Sequence, residues 1–186
     1  CIAAKRFILT PGIADAFVER FVAAASKLQI GDPNLETTTL APMVRPDARA
    51  ELQRQVDASL AAGASLLIGG KPGAGACEYP ATILDHVVPG VPAYSEELFG
   101  PVASIIRAKD ESDAIRIAND TAFGLAASIW TENKSKGEAL ARKIQAGAVF
   151  INALVRSDVR LPFGGTKTSG FGRELAEHGI HEFMNI

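Results

Sequence analysis

The chain has 186 residues, 47% of them apolar and 22% charged, with a formal net charge of -2. Such a composition suits a globular protein with one sizeable core, and so nearly neutral a surface gives a polyelectrolyte no broad face to grip, so nucleic acid is not an expected partner. No apolar run approaches the ~20 residues needed to span a bilayer and the opening Cys1-Ile2-Ala3-Ala4-Lys5-Arg6 lacks signal-peptide architecture, so the protein reads as soluble and cytoplasmic, without a membrane partner. Its two cysteines, Cys1 and Cys77, fit a reducing compartment, because a chain with its own core has little need of a disulfide. No initiator methionine precedes Cys1, and the natural chain is expected to extend upstream.

In chain order, Arg6-Phe7-Ile8-Leu9 is short and β-prone and is closed by the turn signal Thr10-Pro11-Gly12. Phe17, Val18, Phe21, Val22, Ala25 and Leu28 then recur at helical spacing up to Gly31-Asp32-Pro33, and Leu52, Val56 and Leu60 predict a second helix with Gly63 as its stop. Strands are expected over Ser65 to Ile68, Ala81 to Leu84 and Val102 to Ile106. The loop between the last two holds Glu96, Glu97 and Phe99. Ser112 is placed to cap a short helix through Asn119. Leu125 to Trp130 reads as a strand, Lys134 to Ile144 as a helix and Ala148 to Asn152 as a strand, and the segment from Arg156 to Gly172 is irregular. Alternation of this kind predicts a layered α/β fold, with flanking helices on a largely parallel sheet whose functional loops lie at strand ends.

Taken singly, the chemistry-bearing motifs are weak. Gly73-Ala74-Gly75 has Glu78 where a dinucleotide fingerprint needs its third glycine, and Gly164-Gly165-Thr166-Lys167-Thr168 lacks phosphate-loop spacing, so these glycines read as turn formers. His178 and His181 share a charged helix with Glu174, Glu177 and Glu182, the pattern of a solvated face, and no metal site is expected. Cys77 reads as a small buried hydrophobe. Cys1 has in its favour only the nearby cations Lys5 and Arg6, which favour a thiolate, and the small neighbours Ala3 and Ala4.

Taken together and in order, four segments are specific: Cys1-Ile2-Ala3-Ala4-Lys5-Arg6, Glu96-Glu97-Leu98-Phe99-Gly100-Pro101-Val102, Asn119-Asp120-Thr121-Ala122-Phe123-Gly124-Leu125-Ala126, and Pro162 through Leu175 with its Phe163-Gly164-Gly165 and Gly170-Phe171-Gly172. Over essentially its whole length the chain resembles the aldehyde dehydrogenases. That resemblance implies a catalytic domain over residues 1–186 in which Cys1 is the nucleophile that attacks the aldehyde carbonyl and passes through a thiohemiacetal and a thioester. It places Glu97 on the ribose hydroxyls and Phe99 against the nicotinamide of NAD or NADP, and Phe163 along the aldehyde tunnel. Asn152, Lys167, Arg173 and Glu174 read as scaffold.

The stretch Val155 to Leu161 and the ending Gly179 to Ile186 look most like succinate-semialdehyde dehydrogenases, which implies that Ser157 helps hold the distal carboxylate of a small-molecule aldehyde. Arg156 is a further candidate because a guanidinium matches a carboxylate bidentately, although an exposed or inter-subunit ion pair is its alternative role. The family's cofactor-binding domain, general-base glutamate, oxyanion-hole asparagine and C-terminal oligomerisation strand are not among these 186 residues. The isolated chain is therefore expected to be inactive, and the full-length protein a homo-oligomer, dimer or tetramer. Two other readings stay open: a non-catalytic folding or assembly module, and a CoA-acylating semialdehyde dehydrogenase. The choice between NAD and NADP also stays open, since the residues that read the 2′-position belong to the cofactor-binding domain.

Overall fold

A computed structural model describes residues 3–185 and divides into two compact units, Ala4–Glu111 and residues 112–185 together with Ala3. In the first unit β1 (Arg6–Leu9), β2 (Ser65–Ile68), β3 (Thr82–Asp85) and β4 (Val102–Arg107) form one sheet in the order β1-β4-β3-β2. The β1–β4 and β3–β4 pairs are parallel, and β2 lies antiparallel on the β3 edge. All of β3 and residues 102–106 of β4 are buried. Both strands read as unbroken runs rather than alternating ones, as strands covered on both faces do. Edge strand β2 leaves Ser65 and Leu66 exposed, and its register slips between Leu66 and Ile68.

Helix α1 (Pro11–Ala25) begins inside the segment expected to be a turn. Thr10 is extended and Pro11 takes the first helical position, where its missing N–H costs nothing and its fixed φ suits the helix. The helix also stops before Leu28. The Ser26 hydroxyl donates back to the Val22 carbonyl at 2.8 Å, so the chain turns away without using Gly31. Leu9, Ala14, Ala25, Ile83, Ala103 and Ile105 make the core between α1 and the sheet. The rings of Phe7, Phe17 and Phe21 flank it with centroids 5.0 to 6.0 Å apart.

Helix α2 (Pro46–Ala61) buries Leu52, Gln55, Val56 and Ser59, so two polar residues share the face on which only Leu52, Val56 and Leu60 were expected. Both are satisfied. Ser59 donates to the Gln55 carbonyl at 2.7 Å and accepts from the Ala93 amide at 3.0 Å, which docks the single-turn helix α3 (Pro92–Ser95) on α2. That turn is too short to carry a helical period and was not anticipated. At the far end of the sheet Arg107 bridges Asp15 of α1 at 2.6 Å and the buried Asp85 at 2.9 Å. Burial is the largest single influence on Asp85 and opposes ionisation. The Arg107 guanidinium and the His86 amide together outweigh it and hold the carboxyl below its usual range.

The second unit contains most of α4 (Glu111–Asn119), then β5 (Ala126–Ile129), α5 (Lys134–Ala141), β6 (Ala148–Ile151), a 3-10 turn at Lys167–Ser169 and α6 (Ala176–His181). Strands β5 and β6 pair in parallel as a separate two-stranded sheet, so the strands make two sheets rather than one. Ser112 sits within α4, which starts one residue earlier, whereas Asn133 caps α5 by accepting the Lys136 amide. The Asn119 side chain donates to the Lys143 carbonyl and accepts the Gln145 amide, both at 2.8 Å. Asn152, at φ 51°, brackets Thr131 by accepting its amide and donating to its carbonyl.

Candidate active site

The loop after α3 is held from several sides. The Glu96 amide donates to the Pro92 carbonyl at 2.8 Å, and Leu98 is 1% exposed, so its side chain anchors the middle of the loop. From α2, the buried Gln55 reaches across with its side-chain amide to the Glu96 carboxylate at 2.9 Å and the Glu97 carbonyl at 3.2 Å. From the residue just before β1, the Lys5 ammonium donates to the Gly100 carbonyl at 2.9 Å. A Cβ at Gly100 would run into the Leu52 side chain, so the loop lies close against α2 at this position. Beyond it the Thr82 amide takes the Pro101 carbonyl at 2.9 Å, carrying the loop straight into β4.

Between these anchors Glu97 and Phe99 point outward, and Phe99 is 61% exposed. The loop thus presents an exposed carboxylate two residues from an exposed ring, on a backbone fixed at both ends. Glu96 and Glu97 divide the work: the former ties the loop to α2 and also lies 3.6 Å from Arg54, and the latter faces outward. Gln55 was missed in the sequence. Its only signal there is a polar residue on the stripe formed by Leu52, Val56 and Ser59.

Cys1 lies outside the described residues. The two cations that follow it have partners of their own within the first unit: Lys5 holds Gly100, and the Arg6 guanidinium lies 4.8 Å from the Tyr94 ring centroid. Burial lowers the Lys5 pKa, and attraction from Glu97 partly restores it.

Arg156, Ser157 and Phe163 belong to the second unit. Arg156 and Ser157 are exposed, and Phe163 is half-buried, paired with Glu174 through two backbone hydrogen bonds of 2.8 and 2.9 Å. Asp158 grips Arg160 at 2.6 and 2.9 Å. This contact, with a smaller contribution from the Arg156 charge, holds the Asp158 carboxyl far below its usual range. Two guanidinium groups and one carboxylate leave this short segment one net positive charge, and because Arg160 is engaged, Arg156 carries the surplus. Two of the residues read as scaffold tie backbone segments together. Lys167 donates to the Asn119 and Thr121 carbonyls at 2.8 and 3.0 Å, and Arg173 to the Gly165 carbonyl at 2.9 Å.

A layered α/β chain with mostly parallel strands defines the class of fold, and comparison with known proteins defines the family. The model of the aldehyde dehydrogenase family matches residues 1–186, and the chain belongs to that family. It is 53% identical over 187 residues to the succinate semialdehyde dehydrogenase Sad of Escherichia coli (strain K12), covering 100% of this chain and 40% of that protein. It is 49% identical, again over 187 residues, to an NADP(+) succinate-semialdehyde dehydrogenase of Mycobacterium ulcerans (strain Agy99), of which it covers 41%. The fold superposes with a TM-score of 0.95 on the crystal structure of succinic semialdehyde dehydrogenase from Streptococcus pyogenes in complex with NADP+, at 38% identity over 100% of this chain and 41% of that one. The chain thus spans about two fifths of the length of the curated relatives it matches. Among the described residues no helix is long and apolar enough to cross a membrane.

Proposed function

We propose that this chain is the catalytic domain of an enzyme that oxidises succinate semialdehyde to succinate with NAD(P)+. The observation that carries the reading is the anchored loop that turns Glu97 and Phe99 outward while Gln55 and Lys5 fix its backbone. Likeness to proteins named succinate-semialdehyde dehydrogenases supports the substrate.

In this reading Cys1 adds as a thiolate to the aldehyde carbon, giving a thiohemiacetal. Its oxidation leaves a thioester that water hydrolyses to the acid. When bound, the oxidised dinucleotide supplies the hydride acceptor. Glu97 accepts the ribose hydroxyls, Phe99 supports one face of the nicotinamide, and Phe163 lines the approach of the aldehyde. Arg156 and Ser157 hold the distal carboxylate, with Arg156 suited by the net positive charge of its segment. Partners are the small-molecule aldehyde and further copies of the same chain, and the enzyme works in the cytoplasm. The test is NAD(P)H formation from succinate semialdehyde by the complete protein. Cys1→Ala should abolish it, and a preference for uncharged aldehydes over succinate semialdehyde would overturn the substrate assignment.

A further inference from the structure

We propose that Lys5 is a positioning residue for the dinucleotide: it sets the height and tilt of Phe99 and the direction of Glu97, and so tunes affinity for the nicotinamide half of the cofactor. The inference rests on the reading of Glu97 and Phe99 as the nicotinamide contacts. Three observations converge on the side chain. Its ammonium donates to the carbonyl of Gly100, the residue directly after Phe99, at 2.9 Å and across 95 residues of sequence. The same nitrogen lies 6.0 Å from the Phe99 ring centroid, at the outer edge of cation–π range. It also attracts the Glu97 carboxylate. One cation therefore meets backbone, ring and carboxylate on a single loop.

The chemistry explains why lysine serves here. A half-buried ammonium is costly to desolvate, and burial is what lowers the Lys5 pKa. It remains because the loop returns an acceptor, a π face and a negative charge. Gln55 performs the complementary task from α2, gripping the loop before Phe99 at Glu96 and Glu97, whereas Lys5 grips it afterwards. Phe99 is thus bracketed, with Leu98 as the buried pivot. Without Lys5 the Gly100 carbonyl keeps only the Val102 amide at 2.8 Å, and the exposed ring is held less firmly.

The test measures Lys5→Met in the complete protein. The KM for NAD(P)+ should rise about tenfold, the size expected for loss of one charge-assisted hydrogen bond, while the KM for succinate semialdehyde moves less than about twofold. Without cofactor, hydrogen exchange at the Gly100 and Val102 amides, which close the turn onto Leu98 and Gly100, should accelerate roughly tenfold with the β3 and β4 amides unchanged. Lys5→Gln keeps a neutral donor and should shift both readouts the same way, by about threefold. It serves as the test if Lys5→Met fails to fold. Parental cofactor KM and parental loop exchange in a folded Lys5 variant overturn the proposal. Glu97→Gln and Phe99→Ala separate the possible failures. If they raise the cofactor KM and the Lys5 variants do not, only the role of Lys5 falls; if none of the four does, the nicotinamide reading of the loop falls with it.

Discussion

The two units are built on different principles. Of the twenty buried hydrophobic residues among those described, nineteen lie between Leu9 and Ala108 in the first unit, and only Ile117 lies in the second. The second unit exposes Phe123, Trp130, Leu154, Val159, Leu161, Phe171, Ile180, Phe183 and Met184, against Ile13, Leu28, Leu35, Val44, Leu66, Val88 and Phe99 in the first, and its Phe171 and Phe183 lie fully or almost fully in solvent. It also contains four of the five non-glycine residues found at positive φ, Asn152, Lys167, Leu175 and Ala176, against His86 alone in the first. One unit is specified by apolar burial. The other, with little apolar burial among its described residues, leans more on local conformations that cost energy unless their surroundings impose them.

The largest expected effect tests the apolar side of this contrast. Ile105→Ala, at 0% exposure in the centre of β4, should cost about 3 to 4 kcal/mol in urea unfolding of the first unit. A loss below about 1 kcal/mol would show that the sheet core does not dominate there. Next comes a probe of the second unit's tight backbone. A Cβ at Gly147 would collide with the Gly164 carbonyl, so Gly147→Ala should cost about 3 kcal/mol, read as faster hydrogen exchange at the Gly124 and Thr166 amides. If it is neutral, close backbone approach is not what shapes this unit.

A smaller effect concerns Asp85. Because its folded pKa lies below the unfolded value, its contribution is fully present above the unfolded carboxyl pKa near ~4 and is lost as pH falls through the lower folded value. Asp85→Asn should cost about 2 kcal/mol at pH 7, since it strips the Arg107 guanidinium of its buried partner, and should flatten the loss of stability below about pH 4. An unchanged acid limb would show that other carboxylates govern it. The smallest effect is Phe171→Ala, which removes a fully exposed ring and should alter stability by less than about 0.5 kcal/mol by thermal denaturation. A much larger loss in the complete protein would show that this ring is covered there.

Much of the first unit is legible in its sequence because its elements follow apolar patterns. Arg6–Leu9 and Ser65–Ile68 appear where the β-prone runs end, and β3 and β4 lie within one residue of their apolar stretches. The motif from Glu96 to Pro101 marks the loop that carries the outward-facing Glu97 and Phe99. The errors share a cause. Pro11 reads as a turn residue as well as a helix start, and which role it takes depends on whether α1 can pack Ala14 and Phe17 on the sheet. The single turn α3 carries no period, and its place depends on a hydroxyl 34 residues away in Ser59.

By itself the sequence determined the alternation of helices and strands, the mostly parallel sheet, the family and the loop that offers a carboxylate and a ring. These depend on local periodicity and on motifs contiguous in the chain. Only the tertiary structure decided that the strands divide into two sheets, that Gln55 is buried to hold Glu96 and Glu97, and that Lys5 is spent on Gly100. Hydrogen bonds spanning 41 to 95 residues leave no trace in local pattern, because whether a polar side chain meets water or a distant carbonyl is settled only when the chain closes on itself.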